Sequence, residues 1–139
     1  MNDAPLYGTP LSLEDARRAL AAAEAEAKRN GWPVAIAIVD SSADLVAFAR
    51  LDGTQHSSGA IATGKALTAV NFRRATKVFQ DGIAAGGEGL RFLAVPGVTP
   101  LEGGFPIVVA GRIVGGIGVS GVLSSQDAEV ARAGLAALQ

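Results

Sequence analysis

The stretch that most constrains this chain is GGFPIVVAGRIVGGIGVSG, residues 103–121. Read as a strand, Arg112 to Ser120 places Ile113, Ile117 and Val119 on one face together with Gly115, and Gly116, Gly118 and Ser120 on the other. The second face is nearly bare. A bare strand face admits a helix, a second subunit or a flat ligand at backbone distance. Pro106 to Val109 supplies the partner strand, with the tight turn at Ala110-Gly111. Alanine is a poor first residue for a type I′ turn, so the alternatives are that turn and a type I turn with Gly111 in a bulge. Gly116 to Gly121 also spells the G-x-G-x-x-G of dinucleotide sites, but it lies inside an extended alternating segment, and the next helix signal comes several residues later. No lysine follows Gly121, so a Walker loop is excluded as well.

Elsewhere the period changes. Ser12 with Asp15 three residues on caps a helix with Leu13, Ala16, Leu20, Ala23 and Ala27 on one stripe, and Asn30-Gly31 stops it. VAIAIVD (34–40) and LVAFARLDG (45–53) read as a hairpin whose first strand is apolar on both faces, a middle layer. Helical spacing returns from Ser57 to about Arg74, where Gly59 and Gly64 ask for a close neighbour or a ligand. Thr76 is placed to cap a short helix through Phe79, DGIAAGGEGL reads as loop, and VPGVTPLEGG (95–104) reads as a long ordered loop or lid. A closing helix starts at Ser124. The pattern predicts one α+β domain over residues 12–139 behind a leader at 1–11, three layers deep, with a largely antiparallel sheet and helices on both faces.

The composition narrows the partners. Twelve basic against thirteen acidic side chains leave a net charge of −1, which provides no field for nucleic acid or anionic lipid. No cysteine means no thiolate nucleophile and no cysteine-ligated metal. No signal-peptide pattern or long apolar run occurs, so a soluble cytoplasmic protein is expected.

The segments VAIAIVD with LVAFARLDG, GKALTA with FRRAT, PGVTPLEGGFPIVVAGRIVGGIGVSG and QDAEVARAG, in that order, resemble the GlcG/HbpS-like domains. Such domains also form the C-terminal part of PduO-type corrinoid adenosyltransferases. The resemblance runs from Ser12 almost to the end. It implies a profilin-like, GlcG-like central sheet of five strands with helices on both sides, homo-oligomers built from dimers, and a ligand among haem, other tetrapyrroles or corrinoids.

His56 is the only histidine and the natural iron ligand or general base; otherwise it is a solvated residue at a helix entrance. Arg50, Asp52, His56, Lys65 and Thr68 could form a polar wall for propionates or a small carboxylate, because arginine holds carboxylates in bidentate geometry. Lys65 stands in a run of Gly, Ala, Ile and Leu that does not call for a solvated lysine; its plainer reading is a snorkelling side chain. Phe105 and Pro106 could form an apolar lip for a flat ring, or be core. Asp127 reads as a helix-capping partner, and Glu88 and Glu102 are the remaining acids for catalysis. Three functions follow. The first is a ligand domain for haem, held between the His56–Lys65 segment and the Phe105 strand. The second is a metal-independent catabolic enzyme using His56, Lys65 or Glu102. The third is an assembly module, favoured if the protein's own side chains fill the space around Lys65 and Phe105.

Overall fold

A computed structural model describes residues 4–139. Its elements are β1 (Leu6–Tyr7), α1 (Leu13–Asn30), β2 (Ala35–Asp40), β3 (Leu45–Arg50), α2 (Ser58–Phe72), α3 (Lys77–Ala85), a 3-10 turn at Gly87–Ala94, β4 (Gly104–Val109), β5 (Arg112–Ser120) and α4 (Ser124–Ala136). β5 is the hub of the sheet. β4 runs antiparallel along one of its edges, while β1, parallel, and β2, antiparallel, share the other; β3 lies outside β2. The sheet is therefore mixed, and the expected antiparallel pattern holds for every pairing except that of β1, in the segment read as leader.

Two helices cover one face and one covers the other. Ile36, Ile38, Ile107, Ile117 and Val119 pack with the alanines of α1 and with Val130 and Ala131 of α4. On the opposite face Ala35, Ala37 and Val39 meet Ala62, Ala66 and Val70 of α2. β2 is thus buried on both sides, and each isoleucine so placed contributes on the order of 2 kcal/mol. The α1 cap forms as read, with Ser12 accepting from the Asp15 amide at 3.1 Å and Gly31 left-handed at φ 70°. Its buried stripe is Ala16, Ala19, Ala23 and Ala27, whereas Leu13 is exposed.

The bare face of β5 takes a helix. A Cβ on Gly118 would enter the carbonyl of Ala62, and one on Gly116 would lie 2.5 Å from Val70 and 2.8 Å from the Ala66 oxygen. α2 rides directly on the strand backbone, which leaves no space there for a phosphate. The hairpin turn has both Ala110 (φ 50°) and Gly111 (φ 77°) left-handed, as a type I′ turn requires.

Two expectations need correction. The helix at Thr76 does not end at Phe79 but runs to Ala85, and the segment read as loop continues as a 3-10 turn. Gly82 lies inside α3 because the Phe92 ring packs over it, and Phe92 in turn stacks edge-on against Phe79 at 4.9 Å. The Thr76 hydroxyl does not cap its helix; it accepts from the Gly104 amide at 2.9 Å and fastens β4 to the start of α3. Among the described residues no helix is long and apolar enough to cross a membrane.

Candidate functional site

The structure divides the residues singled out in the sequence among separate places. Lys65 is fully buried. It lies on the α2 stripe with Ala62, Ala66 and Ala69 and donates to the Val119 carbonyl at 2.8 Å and to Asp127 Oδ2 at 3.1 Å. Asp127, equally buried, accepts the Val122 amide at 3.1 Å with its other oxygen. It therefore holds the entrance of α4 and an interior ion pair at once. Burial dominates both groups, pushing the Lys65 ammonium below its ordinary pKa and the Asp127 carboxyl above its own, while mutual attraction and the hydrogen bond oppose those shifts. A Cβ on Gly103 would stand 2.9 Å from Lys65 Nζ, so the glycine pair opening β4 closes over the ammonium. Lys65 is neither snorkelling nor a pocket wall.

Phe105 is not beside it. Strand alternation turns Phe105 with Ile107 toward α1 and α4, where it packs on that core below the Arg132 guanidinium, 5.9 Å from its ring centre; Gly104 faces α2. The site expected between Lys65 and the Phe105 strand is therefore replaced by protein interior, with the sheet between the two residues; this is the filling that favours the assembly-module reading at that place. Pro106 lies half-buried in β4 and lines neither of the cavities described next. Glu102 is half-buried, its amide donating to Gln80 at 2.9 Å, and Glu88 is exposed. His56 is exposed in the turn before α2, and roughly 13 Å of helical rise separates it from Lys65. Neither of the two cavities that follow is lined by His56, Lys65 or Glu102.

Two open surface cavities stand out among the described residues. One is a groove of about 480 Å³ between β3 and α2, lined by Leu45, Phe48, Gly59, Ala60, Thr63, Gly64 and Leu67. Its only side-chain hydroxyl, that of Thr63, donates to the Gly59 carbonyl at 2.9 Å, which leaves the walls apolar. Both glycines in α2 are explained here. Gly59 lets the Phe48 ring approach to 3.3 Å of where a Cβ would stand, and Gly64 makes room for Thr99 of the 95–103 loop. The Thr99 amide donates to Thr68 at 2.9 Å and ties that loop down. Sequence reasoning overlooked Leu45, Phe48 and Leu67. Pairing of Phe48 with Ala37 and of Leu45 with Val39 puts them on the α2 face of an edge strand. The second cavity, about 680 Å³, holds Arg50 and Asp52 with Trp32 at the foot of the sheet.

A family model described as haem degrading protein HbpS-like matches residues 11–136. The chain belongs to the HbpS-like family. Escherichia coli K12 Protein GlcG is 41% identical over 110 residues, 79% of this chain and 81% of that protein. Among solved structures, a double mutant of Streptomyces reticuli HbpS superposes with a TM-score of 0.87 at 34% identity, over 95% of this chain and 89% of that one. A PduOC:heme complex superposes with a TM-score of 0.85 at 28% identity, over 94% and 96%. The three-layer HbpS-like fold is thus common to chains of quite different sequence.

Proposed function

We propose that this HbpS-like protein binds haem, the macrocycle lying in the apolar groove between β3 and α2. The observation that carries the reading is the groove itself: Leu45, Phe48 and Leu67 stand over a floor of Gly59 and Ala60, with no free polar side chain among its walls. Flat apolar ligands are held by such surfaces, with few polar groups to orient them. The residues fit the group. His56, the only histidine, stands exposed in the turn two residues before α2, and imidazole is a common iron ligand. Bound haem would supply the redox and oxygen chemistry of its iron; the groove would give the macrocycle an apolar bed, and His56, outside the groove's lining, would be the residue to ligate the iron. The solved PduOC:heme complex supports the reading. A corrinoid, a related macrocycle of similar extent, is the other ligand of this class. The same proposal includes a homo-oligomer, because Leu45 and Phe48 lie exposed on a strand that pairs on one side only.

The test is a hemin titration of the purified protein. A saturable Soret shift is expected, weakened by Phe48→Glu and altered in position by His56→Ala, while Phe105→Leu leaves it unchanged. An unsaturable response, or one indifferent to both Phe48→Glu and His56→Ala, overturns the reading. The enzyme alternative gains nothing from the geometry, which does not bring its acid–base candidates to a common cavity.

A further inference from the structure

We infer that the cleft at the foot of the sheet binds a small apolar zwitterion, a molecule carrying a carboxylate and an ammonium on a hydrocarbon body, as an amino acid does. The site is separate from the haem groove and shares no lining residue with it.

The cleft has the size of a small-molecule site, about 680 Å³. Trp32, Pro33 and Leu51 form its apolar wall. That wall is preformed. Trp32 follows the left-handed Gly31 that ends α1, donates its amide to Ala27 at 2.9 Å and packs on the core; Leu51 donates its own to Val34 at 2.9 Å. Around the wall stand two cations and two anions, Lys28 with Glu24 from α1 and Arg50 with Asp52 from the end of β3.

Their pairing is unequal. Lys28 reaches Glu24 at 3.4 Å, an exposed contact. Neither Arg50 nor Asp52 has a side-chain hydrogen bond or ion pair among the described residues. Arg50 ends β3 and Asp52 stands in the turn that follows, and both line the same cavity, which brings a free guanidinium and a free carboxylate to one place. Guanidinium takes a carboxylate through two parallel hydrogen bonds, and a carboxylate takes an ammonium. A simple acid entering the cleft would meet Asp52 and Glu24; a simple amine would meet Arg50 and Lys28. Only a ligand bearing both charges satisfies both free groups, and repulsion of the wrong ligand contributes to the selection. The indole face and Leu51 then take the hydrocarbon part.

Trp32 is the only tryptophan in the chain, so its fluorescence reports on this cleft alone. The full chain is titrated with L-leucine and L-phenylalanine, and in parallel with hydrocinnamate and phenethylamine, which carry one charge each. A saturable change is expected with at least one amino acid, with affinity at least about tenfold above that of either singly charged probe. Arg50→Ala and Asp52→Asn each weaken it by about tenfold or more, and Phe48→Glu in the haem groove leaves it unchanged, which separates this site from the haem reading. Both substituted side chains are exposed, and unchanged thermal melting verifies the fold. No saturable response up to about 10 mM of either amino acid overturns the inference. So does a singly charged probe binding as tightly, or an affinity indifferent to both substitutions.

Discussion

Lys65 and Asp127 offer the sharpest quantitative test of the packing argument. Removing one member leaves the other charged, buried and unpaired, which in comparable settings costs about 3–5 kcal/mol. Lys65→Met keeps the volume of the stem and strands the Asp127 carboxylate beneath Gly103; a domain of this size then loses on the order of 10–20 °C in melting temperature. Lys65→Met with Asp127→Asn removes both charges while the asparagine oxygen still accepts the Val122 amide. What stays lost is the donor to Val119, about 1 kcal/mol. The double variant is therefore expected to recover at least about 2 kcal/mol relative to Lys65→Met alone. The pH dependence follows from the directions of the shifts. Burial lowers Lys65 below 10.5, so its ionisation cost is full below the folded pKa and is relieved as pH rises from there toward 10.5. Burial raises Asp127 above 3.8, so its stabilising protonation is present below 3.8 and lost as pH climbs through the folded pKa. Between those windows both are charged and the pair bears its whole desolvation cost, so the double variant gains most on the wild type near neutrality and less toward either extreme. Thermal melting of the wild type, Lys65→Met, Asp127→Asn and the double variant across pH measures this. Additive single effects, or a Lys65→Met loss under about 1 kcal/mol, would refute the account of a closed interior pair.

Gly118→Ala drives a methyl into the Ala62 carbonyl and is expected to cost about 3 kcal/mol or more in chemical denaturation, whereas Gly111→Ala at the exposed turn costs about 1 kcal/mol, from its φ alone. Thr76→Val removes the acceptor of the buried Gly104 amide and is expected to lower stability by about 1–3 kcal/mol, with faster hydrogen exchange at Gly104 as the local signature. Tyr7→Phe deletes the hydroxyl that donates to Val70 at 2.7 Å; a loss of about 1 kcal/mol in denaturant melts would show that the segment before α1 is fastened to the domain.

The fold was legible wherever one residue's environment is set locally. Ser12 and Gly31 mark α1 by hydrogen bonds within a few residues, and the two apolar faces of β2 require cover on both sides. The extent of α3 was not legible, because Gly82 and the glycines after it read as loop until Phe92, ten residues away, packs on the helix and overrides their low propensity. Lys65 and Asp127 are 62 positions apart, and only the packing of α2 and of the α4 entrance against opposite faces at the end of β5 brings them together. A usable signal did exist. Lys65 follows Ala62 by three and precedes Ala69 by four, which places it on the buried stripe of its helix and not on the face of Ala60, Thr63 and Leu67. Phe105 carried a similar signal in its parity with Ile107.

That distinction between the two faces of α2 also decides where ligand chemistry can lie. The inner face must be small because the strand beneath it has no side chains to hold the helix away, so its one long residue, Lys65, threads past the sheet to Asp127 instead of opening a pocket. The bare face of β5 is consumed by packing. Apolar surface and unpaired charge then remain only beyond that contact. The outer face of α2 against β3 is lined by Phe48 and Leu67, and the foot of the sheet is lined by Trp32, Arg50 and Asp52. A glycine-rich strand in this architecture therefore locates the helix, and the residues that flank the helix on its far side locate the candidate sites.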